Sequence, residues 1–553
     1  MADEYVSLYR QTLARRQRLY EAAISTGGYT PFLCPWDSLP ALYLFLAIAF
    51  TPRLSPKLAK AVRYITFVII LSQGIYTVCH RRTLWIGAGY GIGLLTAWGV
   101  IMAGALLLCN NVARDFRRLE MRALKTETAA SDRTRSAALS WSTDLSQGVA
   151  MTNRKVANVH PSSDTKQIFP EKPPSQSYEL VWTGFPYNSG WFHVTDWTVD
   201  LITSFRAVGW QHRIPTVGPI DPSIPRDTSE VVSTIRVSND KSRALQWRAL
   251  RGFVTTYLVV DFLKTVMITD PYFMGLTPLE SPSPWPWLAR ANDIIPIATR
   301  WVRSWTTLFA VVFALQFIFS LSPLFFATIL PALVDVTKIT KAPLLEPWMY
   351  PNYWQRLSTS VMYSGLAGFW GKCWHQMFRF AVSEPSRVLV EKLHLNPRGQ
   401  AARTIQLLMA FTLSGSIHAS ASHTAFSLVV SRPFSGALLY FFLQGVGILV
   451  QSFVVKLLQR HVPWVKKLPL AVRQTVNALV VVTYLYFTGP LLVNDFAACG
   501  LWLYEPVPIS FFRGLGFGPG GKDEGWWTWN QEGSRFIGLW KGDRWWKRAV
   551  AIY

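Results

Sequence analysis

The chain carries repeated apolar runs of about 20 residues, the length an α-helix needs to cross the hydrocarbon core of a bilayer. The clearest are Ala61–Cys79, Leu84–Cys109, Thr306–Val334, Gly436–Leu458 and Val472–Val493. Ile405–Ala425 has the length but carries polar residues. Phe253–Ile268 is short and contains Asp261 and Lys264, and Pro35–Phe50 starts among Asp37 and two prolines. The expected fold is therefore all-α: a polytopic integral membrane bundle of about eight transmembrane helices, with a long polar insertion after the third span.

Composition agrees with the segment lengths. Only 16% of the 553 residues are charged, against roughly a quarter in soluble domains. Tryptophan occurs 25 times, as suits aromatic belts at a membrane interface. A net charge of +23 would also suit a nucleic-acid binder. Here the Lys and Arg residues sit between hydrophobic runs, as juxtamembrane basic residues do, so membrane lipid is the expected partner and nucleic acid is not. The five cysteines are scattered without a CxxC pattern, which argues against a disulfide framework or a structural zinc site. Met1 to Tyr20 lacks the apolar core of a cleaved signal, so the first hydrophobic span is expected to serve as the membrane signal.

Five regions follow. Residues 1–109 hold about three spans. Residues 110–177 are rich in Ser, Thr, Lys and Pro and read as a flexible polar linker. Residues 178–250 are aromatic-rich; from Trp197 to Phe205 apolar residues recur at near-helical spacing. That suits an interfacial amphipathic helix or a small soluble subdomain with the aromatics inside. Residues 251–493 form the membrane core and 494–553 an aromatic, basic tail. Arg114, Arg117, Arg118, Arg122 and Lys125 place the segment after the third span in the cytosol. The basic tail departs from the same rule, since counting onward puts it on the far side.

Two motifs carry candidate chemistry. In Gly368-Phe-Trp-Gly-Lys-Cys-Trp-His-Gln-Met-Phe-Arg379, a short interfacial helix is expected to put His375 and Arg379 on one face, where a cation could meet the phosphates of a nucleotide cofactor. An interfacial anchor with snorkelling Lys372 and Arg379 is the bland alternative. In Phe411-Thr-Leu-Ser-Gly-Ser-Ile-His-Ala-Ser-Ala-Ser-His423, His418 lies inside a span, where an ionisable group is by default a functional candidate. Ser414, Gly415, Ser416, Ala419 and Ser420 around it permit close helix approach or leave room for a ligand. The alternative is a neutral histidine bonded across helices. Asp261 and Lys264, three apart, are expected to pair with each other.

The Phe-Trp-Gly-x-x-Trp-His-Gln-x-x-Arg stretch, followed by Phe-x-x-Ser-Gly-x-x-His in the next span, resembles the wax synthase-like acyltransferases. These are related to the membrane-bound O-acyltransferases, and the closest look-alikes are fungal enzymes that acetylate terpenoids and meroterpenoids. Asp200 to Trp210 and Arg248 to Asp261 are similar to further segments of those proteins, so the resemblance runs from about Asp196 to near the C-terminus. In the wider superfamily the first motif has asparagine where this chain has His375, a departure the fungal look-alikes share.

The resemblance implies transfer of an acyl group, with acetyl favoured, from acyl-CoA (acetyl-CoA) to a lipophilic hydroxylated small molecule, with acyl-CoA as cosubstrate and no bound cofactor or metal. The family's catalytic histidine maps onto His418, a general base whose unperturbed pKa of about 6.5 suits the task. His375 would support the oxyanion or orient the thioester. Lys372, Trp374, Gln376 and Arg379 are the candidates for holding the donor. The endoplasmic reticulum is the compartment the resemblance suggests. A long-chain wax or sterol ester synthase and a small-molecule transporter are the alternatives. A transporter often shows internal repeats, and none is visible between the halves. A desaturase would need clustered histidines, whereas the nine here are widely spread.

Overall fold

The computed structural model describes residues 2–123, 177–218, 231–236, 239–427, 431–517, 525–529, 536–542, 544 and 547–553. Most of the segment read as a linker, residues 124–176, lies outside the described residues.

The chain is mostly helical. The long or site-forming helices are α1 (Ala2–Ser25), α2 (Leu39–Phe50), α3 (Pro56–His80), α4 (Tyr90–Leu107), α5 (Trp191–Thr203), α6 (Asn239–Met267), α7 (Ala298–Leu324), α8 (Leu357–Gly368), α9 (Arg379–Lys392), α10 (Gln400–Thr424), α11 (Leu439–His461) and α12 (Leu470–Ala498). Five helical segments among the described residues are long and apolar enough to cross a membrane: Pro56–His80, Tyr90–Leu107, Ala298–Leu333, Phe434–His461 and Leu470–Ala498. Each overlaps one of the five clearest apolar runs of the sequence, although the second helix is shorter than the run Leu84–Cys109. The other three expected spans form helices too, but α2 has 12 residues, and α6 and α10 do not meet the same test. Ile65, Val68, Leu95, Phe309, Ile318, Phe453 and Phe487 are exposed on the apolar helices. Such outward apolar faces suit contact with lipid rather than water.

Small antiparallel sheets accompany the helices, which an all-α reading did not foresee. β1 (Phe32–Cys34), β5 (Ile537–Trp540) and β6 (Ala549–Ile552) form one sheet in the order β1-β6-β5. It ties the C-terminal tail to the N-terminal region. β2 (Arg118–Ala123), β3 (Ser177–Thr183) and β4 (Val231–Arg236) form the other. The strands are short and widely separated in sequence, so no local alternation could announce their pairing.

The second sheet and α5 belong to the polar insertion, whose aromatics divide into a buried and an exposed set. Val194, Trp197 and Leu201 on the inner face of α5 are buried with Phe185 and Trp210 against Trp98 and Met102 of α4. Trp191 and Phe192 on the outer face stay exposed. Arg118 of β2 is buried and pairs with Glu120 and Asp196 at 2.6 Å each. This binds the sheet to α5, and the carboxylates neutralise a charge that burial would otherwise make expensive.

Within the bundle α4 packs along α10, α6 along α7, and α8 against α12. The α4–α10 contact is a close backbone approach. Gly89 begins it with φ +82°, a left-handed conformation that favours glycine. A Cβ on Gly93 would lie 2.2 Å from the Ser420 carbonyl oxygen. The Gly93 N–H donates to Thr424 Oγ1, and the Thr424 hydroxyl lies within donating distance of the Gly89 carbonyl, each at 3.0 Å.

Asp261 and Lys264 do not pair with each other. Asp261 accepts from the Ser510 hydroxyl and the Phe512 N–H, while Lys264 donates to the Trp502 carbonyl at 2.6 Å and faces Glu505 at 3.8 Å. Segments distant in sequence supply better partners than the adjacent helical turn. Gly93→Ala is expected to destabilise the protein by about 1–3 kcal/mol through overpacking. Gly99→Ala, where a Cβ meets nothing within 4 Å, should not. Thermal unfolding in detergent, followed by tryptophan fluorescence, checks the contrast.

Candidate functional site

The first motif does not form the expected single helix. Helix α8 is broken at Gly365 (φ 56°, ψ −135°), and the Leu366 N–H after the break donates to Gln451 Oε1 at 2.9 Å. A π turn, Phe369–Cys373, follows, and the chain leaves helix at Trp374 in an extended conformation. α9 starts only at Arg379, so His375 and Arg379 do not share a helical face. Side chains satisfy the freed backbone. Gln376 Nε2 donates to the carbonyls of Trp370 and Trp374, both at 2.7 Å. Arg379 Nη1 donates to the Gly371 carbonyl at 3.0 Å and to Gln376 Oε1 at 3.1 Å. Trp370 Nε1 donates to Gln444 Oε1 at 3.1 Å. Irregular backbone in a membrane protein is tolerated where protein groups satisfy it in this way or where it lines a water-filled cavity.

This scaffold holds His375 in a cage of rings. Its ring centroid lies 5.4 Å from that of Trp374, 5.7 Å from Trp354, 5.9 Å from Phe378 and 6.1 Å from Phe319. His375 Nδ1 is buried with no hydrogen-bond partner among the described residues.

His418 comes from the C-terminal half of α10. Its ring stacks on Phe441 of α11, with centroids 4.3 Å apart and planes at 9°. Its Nδ1 lies 2.9 Å from the hydroxyl of Tyr90 on α4. The small residues around it serve both expected purposes. The Ser420 backbone abuts Gly93, and a Cβ on Gly415 would come within 3.0 Å of Leu438, whereas Ser414 faces a cavity.

His375 and His418 line the same cavity, of about 570 Å³. The sequence motifs are thus brought to one site. One stripe of α10 walls it: Arg403, Gln406, Leu407, Ala410, Ser414 and His418. These positions recur at helical spacing along a single face. At ~1.5 Å per residue, the stripe runs roughly 22 Å from Arg403 to His418. Trp374, Gln376 and Arg379 line the cavity as well, and Lys372 does not; it is exposed. Arg387 and Arg403, which the motifs did not single out, line it too. Arg387 is engaged by Glu384 at 2.8 Å and Glu391 at 3.4 Å.

Sequence reasoning missed Tyr90, Phe441, Arg387 and Arg403. For Tyr90 a signal existed in Gly87-Ala-Gly-Tyr-Gly-Ile-Gly93, whose small residues allow a close helix crossing. Nothing local tied it to a histidine 328 positions away.

A second cavity, of about 450 Å³, lies between α5 and the end of α7. Phe192, Val199, Phe205, Phe326 and Leu330 line it, with Asp196 and Asp200. It reaches Met377 and Tyr353. Tyr353 stacks at 3.9 Å on Phe319, a ring neighbour of His375.

Residues 350–443 match the sequence model of the Membrane bound O-acyl transferase family. That segment contains both histidines and is shorter than the stretch whose resemblance the sequence suggested. Similar curated proteins are all fungal acetyltransferases. Acetyltransferase eriL of Hericium erinaceus is 37% identical over 90 residues, which is 16% of this chain and 23% of that protein. Acetyltransferase ataH of Aspergillus terreus (strain NIH 2624 / FGSC A1156) is 31% identical over 112 residues, 20% of this chain and 36% of that one. Acetyltransferase ple2 of Rhodocybe pseudopiperita is 46% identical over 52 residues, 9% and 14% of the two chains. The matches therefore cover well under half of each relative. No solved structure matches the chain significantly. The chain resembles the membrane-bound O-acyltransferases and, among them, fungal acetyltransferases.

Gln376→Leu removes the clamp on both carbonyls and the acceptor for Arg379. It is expected to cost about 1–3 kcal/mol for the polar groups left unpaired and to speed hydrogen exchange within residues 369–378. Lys372→Ala should change neither. Exchange followed by mass spectrometry reads both variants without reference to activity.

Proposed function

We propose that this protein is a membrane O-acyltransferase that moves an acetyl group from acetyl-CoA to a hydroxyl of a lipophilic small molecule of terpenoid or meroterpenoid type. The observation that carries the reading is the cavity that joins His375 and His418 and runs along α10 to Arg403. Its length is of the order of an extended phosphopantetheine arm, so a thioester beside His418 leaves the phosphates near the arginines. Guanidinium groups suit phosphate through charge-assisted hydrogen bonds.

In this reading His418 Nε2 takes the proton of the acceptor hydroxyl as its oxygen attacks the thioester carbonyl. His375 donates to the oxyanion of the tetrahedral intermediate. Collapse breaks the carbon–sulfur bond, the ester leaves, and the coenzyme A thiolate takes the proton back from His418. No covalent enzyme intermediate is required. The second cavity supports a separate approach for the acceptor: it is largely apolar, which suits a lipophilic alcohol, and Asp196 and Asp200 on its wall are paired with Arg118. The endoplasmic reticulum is the proposed compartment.

The reading is tested by incubating membranes holding the protein with acetyl-CoA and a panel of hydroxylated terpenoids. Release of free thiol and a mass gain of one acetyl group are expected, and a transporter would give neither. His418→Ala should abolish transfer while leaving expression intact, and His375→Ala should slow it ~100-fold, the scale of a lost oxyanion donor. Full activity in the His418 variant would remove the mechanism. Arg403→Ala should raise KM for acetyl-CoA about tenfold, the loss of one charge-assisted hydrogen bond, with kcat little changed. An unaltered KM would take the phosphates away from this end of the cavity.

A further inference from the structure

The Tyr90–His418 contact lies partly outside the segment that matches the acyltransferase family, because Tyr90 belongs to α4. We propose that Tyr90 is a positioning residue for His418: its hydroxyl oxygen accepts a hydrogen bond from Nδ1–H and thereby leaves the lone pair on Nε2. This inference rests on the transferase reading and adds to it a role for the N-terminal helices.

The contact is built rather than incidental. Tyr90 is the first residue of α4, directly after the left-handed Gly89. Thr424 links both Gly89 and Gly93 to the far end of α10, so the start of α4 has little freedom to slide. The phenol ring packs edge-on against Phe496 at 5.6 Å, and its hydroxyl lies 2.9 Å from His418 Nδ1. On the imidazole, Phe441 stacks at 4.3 Å and fixes the ring plane. Tyr90 and Phe441 together fix which ring edge faces the cavity.

The base role proposed for Nε2 requires one direction for the bond. A neutral imidazole has one donor nitrogen and one acceptor nitrogen, and the partner of one decides the role of the other. With Nδ1–H donating to Tyr90, Nε2 is free to take the acceptor's proton. After it does so, Nδ1–H still donates to the same oxygen, so the base and the imidazolium use one geometry. A neutral phenol orients the ring without the pull of a carboxylate, which would favour the imidazolium before reaction.

The test uses full-length protein in membranes, acetyl-CoA, and whichever hydroxylated terpenoid of the panel the wild type acetylates fastest. Tyr90→Phe keeps the ring against Phe496 and removes only the oxygen. It is expected to lower kcat by about 10- to 100-fold, the range for loss of a group that orients a functional histidine. KM for acetyl-CoA and the unfolding temperature should stay at the wild-type values. Wild-type kcat in Tyr90→Phe would overturn the proposal. So would a variant whose loss of activity tracks a lowered unfolding temperature and a raised KM, since that is a packing role. If the wild type releases no thiol with any panel member, the transferase reading fails and this role falls with it. If the wild type turns over, only the role of Tyr90 is at stake.

Discussion

The approach of α4 to α10 is the contact on which the candidate site depends. Gly93 has no room for a Cβ against the Ser420 backbone, and Thr424 bonds to α4 at both Gly89 and Gly93. Small residues let backbones approach closely where lipid offers no hydrophobic drive to association. The same contact sets the depth of Tyr90 beside His418. Packing and site geometry are therefore one arrangement here, and a change that spread these helices would also release the imidazole.

Around this straight pair the protein uses broken helices. The bend at Gly365, the π turn at Phe369–Cys373 and the extended Trp374 turn the chain so that His375 faces the cavity that holds His418. Each break frees backbone groups from their helical partners. Gln376, Gln444, Gln451 and Arg379 meet that demand, directly or by holding the rings between them. Gln376 and Arg379 thus have structural work whatever they do for a ligand. Their position on the cavity wall is compatible with both tasks.

Charge is sorted across the molecule. Arg118 is buried among Glu120, Asp196 and Asp200 and ties β2 to α5 within the insertion. Arg303 is fully buried with Asp270 at 2.9 Å and donates further to the carbonyls of Leu279 and Ser281. These cations are consumed by the fold. Arg403, exposed on the wall of the cavity that holds both histidines, has no such buried partner among the described residues.

The sequence by itself determined the apolar helices, because span length and composition are local properties that lipid enforces directly. It also marked His375 and His418, because an imidazole among apolar or small residues stands out wherever the chain then goes. It did not reveal the short sheets, the break in the first motif or the partners of Asp261 and Lys264. Each of these depends on groups far away in the chain outcompeting near neighbours. Only the tertiary structure decided that the histidines share a cavity, that a stripe of α10 leads from them to Arg403, and that Tyr90 meets His418. Periodicity says which face of a helix a residue occupies; only packing says what that face meets.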